Sequence, residues 1–184
     1  MKPLRADARR NRARLLEVAE AVFAAKGTGA STEEVAREAG VGIGTVFRHF
    51  PTKEALLEAV FYVRLRRLAD DAEAGAAADD PAEAFFGFFT GFVDQVATHK
   101  ALIDALVEAG VDVQDGSSGI KRDFHRALDT LLRRAQAAGA VRADVGVPEV
   151  IALLVGASRA ADHVGADPTL RARTVALVLD GLRP

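Results

Sequence analysis

Apolar residues recur along most of this chain at the three- and four-residue spacing of α-helices. The first such segment places Leu15, Ala19, Val22 and Phe23 on one face, which predicts an amphipathic helix of about five turns ending at Lys26. The short alternation of polar and apolar residues over 140–147 is too rich in glycine to predict a strand. The pattern therefore indicates an all-α protein.

Residues 31–57 predict two short helices joined by a glycine turn, followed by a third helix. Ser31 and Glu34 have the spacing of a capping box, so a helix should begin near Thr32. Gly40 can adopt the positive φ that ends a helix. The next helix is about two turns long, from Ile43 to Phe50. This layout is typical of a helix-turn-helix that reads DNA.

The outer side of the helix at 43–50 combines small, hydroxyl, aromatic and cationic side chains. Small residues let a helix approach the bases closely, Thr45 can meet a thymine methyl or a phosphate, and Arg48 can reach guanine. Lys53, at the start of the following helix, would add a phosphate contact. The alternative is a solvated helical hairpin, which the combination of cap, turn and cations makes less favourable.

Residues 1–14 carry six cations against a single acid, although the whole chain has a formal charge of −2. Such a basic arm in front of a reading helix is a common device for binding phosphates. We assign this role to Arg5, Arg9 and Arg10. A frayed, solvated terminus is the alternative.

The segment from about Arg9 to Val60 resembles the N-terminal domain of the TetR family of transcriptional regulators. The resemblance implies a homodimeric repressor whose C-terminal domain holds a small-molecule pocket and the dimer contact. By motif position it implies DNA contacts at Thr32, Ile43, Gly44, Thr45, Phe47, Arg48, His49 and Lys53. Two features depart from the family: Phe47 replaces a usual tyrosine that bonds a phosphate, and the stretch 27–30 is about one residue short.

The remaining segments predict further helices over 53–73, from Pro81 onward, and over 101–110, 118–138, 148–165 and 168–182. We predict a DNA-binding domain at 1–52 and a helical effector-binding and dimerisation domain at 53–184. Residues 1–60 carry a charge of +2 and residues 61–184 a charge of −4, so DNA contact should be confined to the first domain.

Five of the ten phenylalanines fall within eight residues, in the sequence AFFGFFTGF. Helical geometry predicts one stripe, formed by Phe85, Phe88, Phe89 and Phe92, with Phe86 and Val93 to one side. Such a stripe fits either a packed core or the wall of an apolar cavity, and the family resemblance favours the cavity. The predicted ligand-binding set is Phe61, Tyr62, Phe85, Phe86, Phe89, Phe92 and Phe124.

The last two predicted helices, about residues 148–182, are apolar round more than one face. A two-fold helical bundle would bury the surplus apolar surface, so we predict a homodimer through these helices. The alternative is that both faces are used within one monomer.

No motif indicates catalysis, a cofactor or a metal site. The four histidines lack the partner spacing of a metal site, and the chain contains no cysteine. No secretion signal or membrane span is evident, so a cytoplasmic protein is expected.

Together these features predict a non-enzymatic repressor that binds double-stranded DNA and leaves a palindromic operator when a small apolar or amphipathic effector binds. The alternatives are a ligand-independent or activating regulator, an architectural DNA binder, and an enzyme on a helical scaffold.

Overall fold

A computed structural model describes residues 3–98, 104–105, 108–110, 119–165 and 167–184, and in that part of the chain the helices are joined by turns and irregular segments, with no strand. The all-α prediction is therefore confirmed. The helices, numbered in chain order, are α1 (Pro3–Lys26), α2 (Thr32–Ala39), α3 (Ile43–His49), α4 (Lys53–Ala76), α5 (Pro81–Thr98), α6 (Gly119–Ala137), α7 (Val147–His163) and α8 (Pro168–Asp180). A short 3-10 helix, Gly27–Gly29, connects α1 to α2.

The helix starts follow local hydrogen-bond chemistry. The Ser31 hydroxyl accepts from the backbone N–H of Glu34, whose carboxylate accepts from the N–H of Ser31, which completes the predicted capping box. Thr52 caps α4 by accepting from Ala55 at 3.1 Å. Asp80 and Asp167 cap α5 and α8 in the same way, each followed by proline at the first helical position.

Two predicted boundaries are wrong. The basic segment is not a separate arm, because α1 begins at Pro3 and includes it. Alanine, leucine and arginine favour helix, and no glycine or second proline interrupts them. The fourth helix continues to Ala76, past the predicted end near Glu73, because its last turn contains mostly alanine and glutamate.

Several predicted segments lie partly outside the described residues. Of the helix predicted over 101–110, only residues 104–105 and 108–110 are described; residues 104, 105 and 108 are helical, and residues 109 and 110 form a turn. The first residue of the helix predicted over 118–138 also lies outside the described part of the chain.

The chain forms two compact units, whose boundary falls within α4. The first comprises Met1–Arg64 and His99–Asp115. Its core joins one face of each of its helices: Leu15, Leu16, Ala19 and Phe23 from α1, Val35, Ala36 and Ala39 from α2, Val46 and Phe50 around α3, and Leu56, Leu57 and Val60 from α4. This core fixes α3 on α1, α2 and the start of α4.

The second unit comprises Leu65–Thr98 and Gly116–Pro184. In it, α5 packs against α6 and α7, and α7 packs against both α6 and α8. Buried residues include Phe85 and Phe89 on α5, Leu128, Leu131 and Leu132 on α6, and Val150 and Leu154 on α7. The functional boundary between residues 52 and 53 stays a prediction. No helix in the described parts of the two units is long and apolar enough to cross a bilayer.

Candidate nucleic-acid interface

The turn between α2 and α3 has one defined conformation. Gly40 ends α2 with φ of 70°, as predicted, and the N–H of Val41 donates to the carbonyl of Ala36 at 3.0 Å. Gly42 precedes α3, and its carbonyl accepts from the N–H of Thr45 at 2.8 Å. With its inner side chains buried, α3 has one orientation on the first unit.

The opposite side of α3 faces solvent. Ile43 and Phe47 are 36% and 43% exposed, Arg48 is exposed, and Thr45 and His49 are half-buried. A methyl group added to Gly44 would meet no protein atom within 4 Å. The structure thus brings most of the predicted reading residues together on one short, open surface.

Two predicted DNA contacts outside α3, Thr32 and Lys53, are less exposed than Ile43, Phe47 and Arg48. Thr32 is buried at the start of α2, and its hydroxyl donates to the carboxylate of Glu33 at 3.3 Å. Lys53 is half-buried in the first turn of α4. The Thr32 side chain is therefore largely unavailable for the predicted DNA contact.

The predicted phosphate-binding arginines lie on α1. Arg10 is exposed, whereas the side chains of Arg5 and Arg9 lie outside the described residues. Arg12, which the sequence analysis did not single out, places its guanidinium 5.1 Å from the centre of the Phe50 ring. This cation–π contact connects the basic part of α1 to the end of α3. Because Arg12 and Phe50 are far apart in the sequence, the contact is visible only in the structure.

A charged network holds the start of α2. The Lys26 ammonium donates to one oxygen of Glu34, and the N–H of Ser31 donates to the other at 3.2 Å. The hydrogen bond from Lys26, followed by that from the Ser31 backbone, holds the pKa of Glu34 below its ordinary value of 4.5. Glu34 thus joins the end of α1 to the first turn of α2.

The aromatic residues predicted to bind a ligand occupy different environments. Phe61 packs against the core of the first unit, and the Tyr62 hydroxyl donates to Glu58 at 3.0 Å. In the second unit, Phe124 is buried and Phe86 is covered by the guanidinium of Arg183, 4.3 Å from its ring centre.

The predicted phenylalanine stripe on α5 is wrong in its orientation. The buried row is Phe85, Phe89 and Val93, whereas Phe86, Phe88 and Phe92 are half-buried. The row follows the four-residue spacing of a helix, but α6 and α7 select which of the apolar rows is covered.

An open groove of about 210 Å³ runs between α4 and α5 in the second unit. Its lining residues are Leu68, Asp71, Ala84, Gly87, Phe88, Gly91, Phe92 and Gln95. Methyl groups added to Gly87 or Gly91 would meet no protein atom within 4 Å, so both glycines widen the groove. Of the predicted ligand set, Phe92 lines it. The four-residue spacing of the glycines was the sequence signal for this groove.

Exposed apolar side chains concentrate on α7 and α8 as well as on α3. Among the described residues, the exposed large apolar side chains are Ile43, Phe47, Val155, Leu170 and Leu177. Leu177 is the most exposed of them, at 74%. On α7, residues 152, 155, 156 and 159 form one exposed row of helical spacing.

The described residues hold no group of three or more His, Cys, Asp or Glu side chains suitable for a metal ion. His163 is exposed at the end of α7 beside Asp162, and His99 lies outside the described residues.

Comparisons with known proteins match both the N-terminal and the C-terminal part of the chain. Residues 80–184 match the C-terminal domain of SbtR-like transcriptional regulators, and residues 15–60 match the bacterial regulatory proteins of the tetR family. The crystal structure of a TetR transcription regulatory protein from Mycobacterium vanbaalenii has a TM-score of 0.76 and 47% identity, covering 99% of this chain and 100% of that one. A TetR transcriptional regulator from Streptomyces coelicolor has a TM-score of 0.71 and 36% identity, covering 94% and 98%.

Curated relatives match over the N-terminal part. HTH-type transcriptional regulators of Staphylococcus aureus are 39% identical over 66 residues, which are 35% of this chain and 34% of theirs. The chain therefore spans about a third of the length of these relatives in the alignment.

Proposed function

Because the chain belongs to the TetR family of transcriptional regulators, and is thus a DNA-binding regulator and not an enzyme, we propose that it is a homodimeric repressor. In this proposal a small apolar or amphipathic effector releases the dimer from a palindromic operator. The observation that carries it is the exposed face of α3, which follows a hydrogen-bonded glycine turn and has Arg48 and an unobstructed Gly44 on its surface. A duplex can approach such a face closely.

The proposed DNA contacts divide by chemistry. The face of α3, from Ile43 to His49, enters the major groove, where Arg48 is suited to guanine. Arg5, Arg9 and Arg10 on α1, with Lys53 and the start of α2 at Thr32, contact phosphates. The stretch 41–53 contains cations and no carboxylate, which favours binding to a polyanion.

The proposed dimer forms through α7 and α8. The exposed Val155, Leu170 and Leu177, together with the small side chains on α7, give an apolar surface that a second copy would bury. A two-fold dimer would present two α3 helices to one face of the duplex, one helical turn or a multiple of it apart.

The proposed effector site is the groove between α4 and α5. Phe88 and Phe92 supply its apolar wall, and Asp71 and Gln95 supply polar ends. Its volume of about 210 Å³ lies below the roughly 300–1,000 Å³ typical of sites for drug-sized ligands, so we expect a small effector. Residues of both compact units lie on α4. We therefore expect α4 to transmit the effect of ligand binding in the second unit to the DNA-binding first unit. The coupling free energy between effector binding and DNA binding is about 1–3 kcal/mol in typical cases. A cytoplasmic location accords with access to DNA.

Selection of bound sequences from random duplexes tests the DNA-binding part of the proposal. We expect enrichment of a two-fold symmetric site. Enrichment of no sequence, with equal binding to competitor DNA, would favour an architectural role and contradict the proposal.

Release of the protein from its selected operator, measured against a panel of small aromatic and amphipathic compounds, tests the effector part. A compound that weakens operator binding supports a ligand-responsive repressor. A regulator indifferent to every compound, or one that raises transcription from a reporter promoter, would favour the ligand-independent or activating alternative.

A further inference from the structure

Two large apolar side chains lie side by side on the exposed face of α3. Ile43 and Phe47 are four residues apart and therefore share one face of the helix, where they are 36% and 43% exposed. Gly44 lies beside Phe47 on the same outer side of the helix, and a Cβ added to it has no neighbour within 4 Å. The protein surface thus presents a partly exposed apolar pair on the outer side of its reading helix.

The surroundings of this pair indicate what covers it. Arg48 is exposed beside Phe47, and no carboxylate occurs between residues 41 and 53. The partner should therefore carry negative charge around a small apolar group. Duplex DNA has this arrangement in its major groove, since phosphates line the edges and the thymine C5-methyl is the apolar group on a base edge.

We propose that Ile43 and Phe47 recognise thymine methyl groups, so that each half of the operator contains thymines at the positions facing these two side chains. This inference rests on the proposed DNA-binding function and specifies its base chemistry. Phe47 has no hydroxyl to bond a phosphate, so its ring contributes through apolar contact alone. Gly44, without a side chain, lets both neighbours reach the base edges.

Deoxyuridine gives a direct test, because it lacks only the C5-methyl and keeps every hydrogen-bonding group of thymine. Each thymine of the selected operator is replaced in turn, in both half-sites, and the dissociation constant is measured. Burial of one methyl is worth roughly fourfold in affinity, and two symmetric methyls roughly fifteenfold. We expect this loss at one or two positions per half-site and no loss at the others.

Variants assign the effect to the two side chains. In Phe47→Ala the ratio of affinities for thymine and deoxyuridine should fall to about one at one position, and in Ile43→Ala at a different one. Phe47→Tyr keeps the ring and should keep the ratio. Arg48→Ala should weaken both duplexes by the same factor. Thermal unfolding followed by circular dichroism checks that each variant folds, and Phe47→Leu replaces Phe47→Ala if that variant does not.

The outcomes separate this inference from the proposed function. A selected operator that tolerates deoxyuridine at every position overturns the inference and leaves the proposed function intact. Sensitivity that persists unchanged in both alanine variants also overturns it, because the methyl contact then belongs to another residue. If no sequence is selected at all, the proposed function fails and the inference fails with it.

Discussion

The guanidinium of Arg64 on α4 lies 3.2 Å from the carboxylate of Glu20 on α1, and each side chain is only 13% exposed. The two residues are 44 positions apart in the chain. This ion pair joins the first helix to the helix that follows the reading motif, within the first compact unit.

Replacing Arg64 with alanine should lower the free energy of unfolding by about 1–3 kcal/mol, because it leaves the carboxylate of Glu20 partly buried without this partner. Urea unfolding followed by circular dichroism measures the change. Arg133→Ala is the matched control, since Arg133 pairs with Asp129 on the open surface of α6 and should cost no more than about 0.5 kcal/mol. Equal losses in the two variants would show that the Arg64 pair is no stronger than a surface pair.

The stability of the first unit should depend on the ionisation of Glu34. The pKa of Glu34 is lowered in the folded protein, first by the hydrogen bond from Lys26. Its stabilising contribution is therefore fully present above the ordinary value of 4.5 and is lost as the pH falls through the folded-state pKa.

The midpoint of thermal unfolding, measured between pH 6 and about pH 3, tests this dependence. The wild-type protein should lose more stability over that range than Glu34→Gln does. Lys26→Met removes the first cause, so NMR titration should show that the pKa of Glu34 rises toward 4.5 in this variant. Identical pH profiles for the wild type and Glu34→Gln would contradict the prediction.

A methyl group at residue 44 should weaken DNA binding without harming the fold. Gly44→Ala meets no protein atom within 4 Å, and alanine stabilises a helix by up to about 1 kcal/mol relative to glycine. Operator affinity should nevertheless fall, because the added methyl occupies the space through which the bases approach.

Gly40→Ala provides the contrasting variant. Gly40 has φ of 70°, which alanine adopts only with strain, so this substitution should lower the unfolding midpoint itself. If Gly44→Ala bound the operator as well as the wild type, the placement of α3 against the bases would be wrong.

The features that sequence predicted well are those set by neighbouring residues. Ser31 with Glu34, and Gly40, act on backbone groups within four positions, so their spacing alone determines the cap or turn. The outward-facing residues of α3 could be predicted from residues 31–57 for the same reason.

Features that depend on distant residues were not predictable in this way. The buried row of α5 passes through Val93 because α6 and α7 pack on that side, and the helical spacing allowed several rows. Arg12 above Phe50 and Arg64 beside Glu20 join residues far apart in the chain, which periodicity does not reveal. The charge of residues 1–14 predicts an arm that binds phosphates, whereas the helix-forming residues of this segment make it part of α1.

A charge at residue 177 should prevent self-association. Leu177 is 74% exposed on α8, so Leu177→Glu leaves the monomer's own core intact, but it would bury a carboxylate in the proposed dimer contact. Sedimentation velocity should show a dimer for the wild type and a monomer for the variant. Ala137→Glu, at an exposed position at the end of α6, should remain dimeric. A wild-type monomer, or a dimeric Leu177→Glu with unchanged affinity, would place the dimer contact elsewhere.

Filling the groove between α4 and α5 should separate effector response from DNA binding. Gly91 lines the groove, and a Cβ added to it has no neighbour within 4 Å outside its own helix backbone, so the side chain of Gly91→Leu would begin in the space of the groove. We expect operator affinity to stay within about twofold of the wild type. An effector found by the release assay should lose at least tenfold in potency, which corresponds to about 1.4 kcal/mol of lost binding free energy. Thr90→Leu, at the adjacent exposed position outside the groove lining, should respond like the wild type. Full release of Gly91→Leu at the wild-type effector concentration would show that the ligand binds away from this groove.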